Sequence, residues 1–212
     1  MTSAIALDLS RLLPGFADPT RESQAVFRAI MNATARPGTI ADLSQAPTPP
    51  AGLNRAAGAV ALTLVDHDTP LWLDPAMRGS GPETWLRFHS TCPLVEAPIQ
   101  AAFAIIADPA AMPALAAFNQ GDAKYPDQAA TIIIMVPSLA GGTSLTLRGP
   151  GIAVATAFAP AGIPASFWAD RAALVAHFQY GIDLMLCAGD HLVSIPRTTR
   201  IAATDTEREQ GA

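Results

Sequence analysis

The run Thr131-Ile132-Ile133-Ile134-Met135-Val136 decides the fold class of this chain, because it is β-branched or apolar at every position. A strand with one wet face alternates apolar and polar residues, whereas a strand covered on both faces is continuously apolar. The run therefore predicts a strand that is buried on both faces of a sheet.

Helices are predicted on both sides of this strand along the chain. Asp18 is a suitable N-cap, and apolar residues recur at helical spacing from Pro19 until Arg36-Pro37-Gly38 ends the pattern. A second, Ala-rich helix is predicted from Asn54 to Val65. Further helices are predicted at 110–119 and, after the cap Ser166, at 167–179.

Short apolar runs between turn residues predict the other strands. Gly141-Gly142 predicts a hairpin from the Ile-rich strand into 144–148, and Ala188-Gly189-Asp190 joins 182–187 to 191–196. Further strands are predicted at 71–73, 84–89 and 152–158, while 99–107 fits a strand or a helix. Together these elements predict one α/β domain over residues 1–201, a mixed β-sheet flanked by helices, with a polar, frayed tail over 202–212.

Composition excludes several classes of protein. The chain is 50% hydrophobic with a net charge of -5, and it has no basic cluster, so nucleic acid is not an expected partner. No apolar run approaches the ~20 residues of a membrane helix, and no secretory signal pattern begins the chain. We therefore expect a cytoplasmic protein, with Cys92 and Cys187 as free thiols.

Standard motifs of catalytic and cofactor sites are absent from the sequence. There is no Gly-rich loop followed by Lys-Ser or Lys-Thr, no dinucleotide fingerprint and no zinc-type cysteine pair. We therefore expect no bound metal.

Asp66-His67-Asp68 places two carboxylates and an imidazole before Pro70 and a short apolar run. These groups suit a metal ion or a donor-rich ligand, but neighbouring side chains point in different directions. The alternative is a loop in which Asp66 or Asp68 accepts hydrogen bonds from local backbone amides. Both alternatives stay open at the level of sequence.

His89 and Cys92 form a second candidate, since a Cys-His pair can generate a reactive thiolate. The alternative is a buried, inert cysteine beside Pro93, with His89 in contact with a ligand.

Three arginines stand at turns, namely Arg36, Arg148 and Arg197. An arginine at a rigid turn can capture an anion or can bind nearby carbonyls and carboxylates.

Short motifs in a fixed order run through nearly the whole chain, and together they resemble the PhnH subunit family of the bacterial carbon-phosphorus lyase system. Two positions depart from the family pattern: Thr91 stands where glycine is usual, and Gln179-Tyr180 stand where a proline-containing pair is common. The matching segments are Gly15-Phe16-Ala17-Asp18-Pro19, Ser23-Gln24-Ala25-Val26-Phe27-Arg28, Ala35-Arg36-Pro37-Gly38, Asp66-His67-Asp68-Thr69-Pro70-Leu71-Trp72-Leu73-Asp74, Phe88-His89, Cys92-Pro93, Phe118-Asn119-Gln120-Gly121, Tyr125-Pro126, Leu147-Arg148-Gly149-Pro150-Gly151-Ile152, Gly181-Ile182-Asp183-Leu184 and Pro196-Arg197-Thr198-Thr199.

The resemblance implies an accessory subunit of the carbon-phosphorus lyase core complex, without independent activity. With the other core subunits it would form alpha-D-ribose 1-phosphonate 5-triphosphate from ATP and an alkylphosphonate, with release of adenine. The resemblance also implies a homodimer and a fold similar to pyridoxal-phosphate-dependent transferases. No cofactor is expected, because a Schiff base needs a lysine and Lys124 stands alone in a polar loop.

Two other functions remain open beside this one. A binding module for a nucleotide or a phosphonate would use Arg36 and Arg197, whereas a self-sufficient small-molecule enzyme would use His89 and Cys92. The resemblance supplies no catalytic residue, so the catalytic residues are unknown. The ligand-binding candidates are Arg36, Asp66, Asp68, His89 and Arg197.

Overall fold

The computed structural model describes residues 12–175 and 180–203, which form two sheets and four helices. The helices are α1 Pro19–Ala35, α2 Arg55–Leu64, α3 Gly81–Ser90 and α4 Ala165–Val175. The strands are β1 Ile40–Asp42, β2 Leu71–Leu73, β3 Phe103–Ile106, β4 Thr131–Met135, β5 Leu145–Arg148, β6 Thr156–Phe158, β7 Asp183–Ala188, β8 His191–Ile195 and β9 Arg200–Ala203.

The larger sheet has six strands in the order β1-β8-β7-β4-β3-β2. Strands β2, β3, β4 and β7 are parallel, while β8 runs antiparallel to β7 and β1 antiparallel to β8. Strand β4 lies inside this sheet, and Ile132, Ile133 and Ile134 are fully buried. The predicted central strand and the predicted β7–β8 hairpin are therefore confirmed.

The smaller sheet has the order β6-β5-β9 and is antiparallel. The predicted hairpin from β4 into β5 is wrong, since the two strands lie in different sheets. A Cβ atom at Gly142 would overlap the Pro160 carbonyl, so this glycine permits a close approach of two chain segments. Strand β9 continues to Ala203, so the first positions of the predicted tail are in a strand, and 204–212 lie outside the described residues.

Two helices begin where the sequence predicts them. The Asp18 side chain accepts a hydrogen bond from the Arg21 amide at the start of α1, and the Asn54 side chain accepts one from the Ala57 amide at the start of α2. Helix α4 begins at Ala165, before the predicted cap at Ser166, and the last predicted positions, 176–179, lie outside the described residues.

The predicted strand at 84–89 is wrong, because these residues lie in α3. Pro82, Trp85 and Leu86 are buried at helical spacing, and Glu83 pairs with Arg87 one turn later. The predicted helix at 110–119 is also wrong, since Pro113 interrupts it and only a 3₁₀ turn at Leu115–Ala117 forms. Strand β6 begins at Thr156, later than predicted, and the ambiguous run 99–107 contains β3.

The larger sheet separates two apolar cores. Helices α1, α2 and α3 cover one face, where Ile133 packs with Val60 and Trp85. Helix α4 and the smaller sheet cover the other face, where Ile132 and Ile134 belong to the core. The predicted α/β fold with a mixed sheet flanked by helices is thus confirmed, whereas the separate three-stranded sheet on the second face was not predicted.

Candidate functional site

Asp66 closes the turn between α2 and β2. One of its carboxylate oxygens accepts hydrogen bonds from the Asp68 amide at 3.0 Å and from the Thr69 hydroxyl at 2.6 Å. The Thr69 hydroxyl is the main reason that the pKa of Asp66 lies below its ordinary value. This arrangement matches the local-capping alternative, and a direct ligand contact by Asp66 or Asp68 stays a prediction.

His67 and Asp68 point into solvent beside this turn. The His67 Nε2 atom lies 3.3 Å from an Asp68 oxygen, and both side chains are largely exposed. In the described parts of the chain, no three His, Cys, Asp or Glu side chains are grouped closely enough to hold a metal ion. The turn therefore provides two separate surface carboxylates and not a converging ligand set.

His89 lies near the end of α3 and binds the segment that precedes α1. Its Nε2 atom lies 3.0 Å from the Leu13 carbonyl oxygen, which also accepts a hydrogen bond from Trp85 Nε1 at 3.0 Å. Because a carbonyl oxygen only accepts, Nε2 must carry the proton in this contact. The Nδ1 atom of the neutral ring is consequently a hydrogen-bond acceptor.

The second ring nitrogen of His89 is adjacent to Gly15. A Cβ atom at Gly15 would lie 3.0 Å from Nδ1, so glycine allows the chain to cross the imidazole closely. A cavity of about 230 Å³ opens beside the ring and is also lined by Phe16, Ser23 and Leu62. A small ligand in this cavity could donate a hydrogen bond to Nδ1.

Cys92 does not have the surroundings of a catalytic thiolate. Its side chain belongs to the first apolar core, and burial raises the pKa of the thiol. A thiol that remains protonated is a weak nucleophile. The geometry therefore favours the buried, inert alternative for Cys92.

Arg36 caps the C-terminal end of α1. Its backbone amide donates a hydrogen bond to the Asn32 carbonyl at 3.1 Å, and Arg36 is exposed to solvent.

Arg197, in contrast, forms hydrogen bonds to other residues of the fold. Its guanidinium donates to both carboxylate oxygens of Asp183, and Nη1 donates to the Pro126 carbonyl at 2.6 Å. The Arg197 contacts correspond to the alternative in which a turn arginine binds a carboxylate and a carbonyl.

Arg171, which the sequence analysis did not select, lies beside this ion pair. It is 1% exposed on α4, and its Nη2 atom donates to the Pro196 carbonyl at 2.8 Å. The pKa of the guanidinium is lowered to about 10, chiefly by burial; among the smaller causes, Asp183 raises the pKa and Arg197 lowers it. The signal that could have identified it was a basic residue in a helix whose other residues, apart from Asp170, are apolar or small.

The predicted residues do not form one site. His89 lies with α3 on the face of the sheet that α1 and α2 cover, whereas Arg197 follows β8 and contacts Asp183 and Pro126. Asp66 and Asp68 lie in the loop before β2, and Arg36 lies at the end of α1. Two separate regions therefore carry polar groups within the fold, the cavity at His89 and the Arg171–Asp183–Arg197 cluster.

A family model described as "Bacterial phosphonate metabolism protein (PhnH)" matches residues 14–202. The chain belongs to the PhnH family. The predicted family is thus confirmed, and the match includes both regions, from the segment beside His89 to β9.

Two relatives of this PhnH-family chain cover most of its length. A protein of Rhizobium meliloti (strain 1021), named "Alpha-D-ribose 1-methylphosphonate 5-triphosphate synthase subunit PhnH", is 45% identical over 186 residues, which are 88% of this chain and 93% of the relative. A protein of Stutzerimonas stutzeri, named "Putative C-P lyase subunit protein HtxG", is 32% identical over 182 residues, or 84% and 85% of the two chains.

Proposed function

We propose that this chain is an accessory subunit of a carbon-phosphorus lyase core complex that acts in alkylphosphonate catabolism. The observation that carries the proposal is the 45% identity, over 88% of the chain, to a named subunit of alpha-D-ribose 1-methylphosphonate 5-triphosphate synthase. The complex would form alpha-D-ribose 1-phosphonate 5-triphosphate from ATP and an alkylphosphonate and release adenine. The partners of the chain would be the other core subunits.

The geometry of the candidate residues supports an accessory role over independent catalysis. Cys92 is buried with a raised pKa, and the Arg197 guanidinium is bound to Asp183 and Pro126. A self-sufficient enzyme would need an accessible nucleophile or a free anion-binding group at these positions. We therefore expect the isolated chain to have no turnover of ATP with an alkylphosphonate.

Co-expression with the other core subunits tests the proposal. The tagged chain should retain those subunits through affinity and size-exclusion steps, and adenine release should depend on the assembled complex. The variant Cys92→Ala should leave this activity unchanged, since the thiol would have no chemical role. Elution of the chain alone, or loss of activity in a folded Cys92→Ala complex, would contradict the proposal.

Three finer features are part of the same proposal: a homodimer, a cytoplasmic location and a fold similar to pyridoxal-phosphate-dependent transferases. The family resemblance supports them, and Phe27 and Met31 leave an exposed apolar face on α1 that a second copy could cover. Lys124 lies in an exposed loop with its ammonium 4.9 Å from the centre of the Tyr125 ring. Sedimentation equilibrium should give twice the 22.0 kDa mass of one chain.

The cavity at His89 favours a second candidate function, a module that binds a nucleotide or a phosphonate and presents it to a partner. It combines an acceptor nitrogen with a volume of about 230 Å³. Arg36 follows the opposite end of α1, roughly 25 Å along the helix axis from this cavity, and would therefore bind an anion at a separate place on the surface. Calorimetry with ATP and with an alkylphosphonate should detect binding that Arg36→Ala weakens. Arg28→Ala, another exposed arginine of α1, is the matched control, and equal binding by all three proteins would exclude Arg36 from the role.

A further inference from the structure

His89 offers a hydrogen-bond acceptor of fixed orientation to the cavity that it lines. Its Nε2 atom is bound to the Leu13 carbonyl, and its ring makes edge-to-face contacts with Trp85 and Phe88, at centroid distances of 5.2 Å and 5.1 Å. These three contacts hold the imidazole in place. Among the hydrogen bonds of residues 12–175 and 180–203, none is donated to the Nδ1 atom, so this acceptor is available to a ligand.

Ser23 supplies the second polar side-chain atom of this cavity, and that atom is also an acceptor. The Ser23 hydroxyl donates its proton to the Pro19 carbonyl, one turn earlier in α1. The lone pairs of Oγ are therefore what the hydroxyl can offer to a ligand. The other side chains that line the cavity, those of Phe16, Pro19 and Leu62, are apolar. A ligand of this cavity must consequently donate hydrogen bonds and bury apolar surface.

The part of the ligand that enters the cavity must be neutral. No charged side chain lines the cavity, so a buried charge would lose its hydration without gaining a partner. Backbone amides at the start of α1 could bind an anion, but they already donate to two carboxylates. The Arg21 amide donates to Asp18 at 3.1 Å, and the amides of Ala17 and Asp18 donate to Glu22 at 3.1 Å and 3.2 Å. A phosphate or phosphonate group is therefore not expected inside.

The size and walls of the cavity fit one flat ring system. Its volume is about 230 Å³, which is below the roughly 300–1,000 Å³ of pockets that enclose drug-sized ligands. Phe16 and the His89 imidazole provide aromatic surface against which a flat ring can pack. A neutral heteroaromatic ring with an amino group has both the required shape and the required N–H donors.

We propose that this cavity binds the adenine base of a nucleotide, with the exocyclic amino group toward His89 and Ser23 and the ring against Phe16 and Leu62. The amino group has two N–H donors, which matches the two acceptors of the cavity. The choice of adenine over other amino-bearing rings rests on the proposed function, in which ATP is consumed and adenine is released. The subunit would thus hold the base of the nucleotide substrate, with the phosphates outside the cavity.

Nitrogen NMR of the histidine rings in the isolated, full-length chain tests this proposal directly. Adenosine should shift the Nδ1 resonance of His89 in a saturable manner, whereas His67, in the exposed turn before β2, is an internal control. Inosine, which has an oxygen in place of the amino group, should bind about tenfold more weakly than adenosine. ATP should bind no more tightly than adenosine, because no cationic side chain lines the cavity.

Gly15→Ala separates binding from folding. The added methyl group would lie 3.0 Å from Nδ1 of His89 and block a donor, while the Gly15 backbone is outside the left-handed region that disfavours alanine. Gly81→Ala, at the other end of α3, is the matched control, since its methyl group would make an ordinary contact with Pro50 at 3.4 Å. Gly15→Ala should abolish the adenosine response, and Gly81→Ala should retain it. Ser23→Ala should weaken binding about fivefold through the loss of one acceptor, and thermal melts check that each variant is folded.

Several results would overturn the assignment. An unmoved Nδ1 resonance of His89 at millimolar adenosine, or an equal response in folded Gly15→Ala, would show that the cavity is not the binding site. Equal affinity for inosine would remove the amino group from recognition, and tighter binding of ATP than of adenosine would mean that the phosphates are recognised instead. Co-purification decides the subunit function separately. A chain that joins the complex and binds no adenosine would overturn this inference alone, whereas a chain that binds adenosine and joins no complex would overturn only the proposed function.

Discussion

At the scale of one residue, the pKa of Asp66 is set by hydrogen bonds from its neighbours along the chain. Its carboxylate is fully accessible, yet its pKa is lowered, first by the Thr69 hydroxyl and then by the Asp68 amide. A carboxyl group with a lowered pKa stabilises the folded state above its unfolded pKa of 3.8, and this contribution is lost as the pH falls through the folded value.

Replacement of Thr69 by valine should raise the pKa of Asp66 toward its ordinary value, because the hydroxyl is the largest cause of the shift. Carboxyl carbon NMR titration of the wild type and of Thr69→Val measures the change. Asp42, whose pKa is lowered by Ser44, should titrate identically in both proteins and is an internal control. An unchanged Asp66 midpoint would show that Thr69 does not set it.

The candidate site was predictable from sequence only where neighbours along the chain determine the contacts. Asp66 and Thr69 are three positions apart, so the capped-turn alternative could be stated in advance. The Asp183–Arg197 pair and the buried Arg171 depend on strand pairing and helix packing between distant segments. Apolar patterns do not specify which charged groups such packing brings together.

Helix α3 shows at the scale of an element how tertiary contacts decide between helix and strand. The run Thr84 to His89 is rich in aromatic and branched residues that suit a strand, and only Ser80 and Pro82 indicate a helix start. Trp85 packs in the apolar core that α1, α2 and α3 cover, and its indole N–H donates a hydrogen bond to the Leu13 carbonyl. The strand β4, in contrast, was predictable because its whole length is apolar and short.

The end of α3 is strained at Thr91, which adopts φ 55° and ψ 18° in the left-handed region. Branched side chains disfavour this conformation, and glycine is the residue that helix ends use there. The resemblance to the family identified this position as one where glycine is usual. The left-handed backbone at position 91 is therefore the physical reason that glycine is usual there.

Thr91→Gly should raise the free energy of unfolding by about 1 kcal/mol, because glycine adopts the left-handed conformation without a steric cost. Urea denaturation measures the change. Thr84→Gly, inside the same helix, is the matched control and should lower the free energy of unfolding by about 0.3 kcal/mol, the difference in helix propensity between threonine and glycine. A loss of stability in Thr91→Gly would mean that the threonine side chain makes contacts that outweigh the strain.

The whole molecule consists of two cores that share the larger sheet. Alternate isoleucines of β4 enter opposite cores, Ile133 with α2 and α3 and Ile134 with the core beneath α4. Because one strand belongs to both cores, neither core can lose its packing without disturbing the other. The described residues should accordingly unfold as one cooperative unit.

Ile133→Ala and Ile134→Ala should each lower the free energy of unfolding by about 2–5 kcal/mol, since both side chains are fully buried. Calorimetry should show one transition in each variant, shifted to lower temperature by a similar amount. Val154→Ala, at a position that is 78% exposed, should leave the transition unchanged. Two separated transitions in either isoleucine variant would show that the cores unfold independently.

The three consecutive isoleucines of β4 also affect how the chain reaches this fold. A shift of the strand by one residue would replace two of the three isoleucines by isoleucine, one at each core, and the third by Thr131 or Met135. These side chains therefore distinguish correct pairing from mispairing only weakly. The alignment of β4 must therefore be imposed by its neighbours, β3 and β7. Folding errors of this protein should consequently arise first at β4, the strand that is easiest to identify in its sequence.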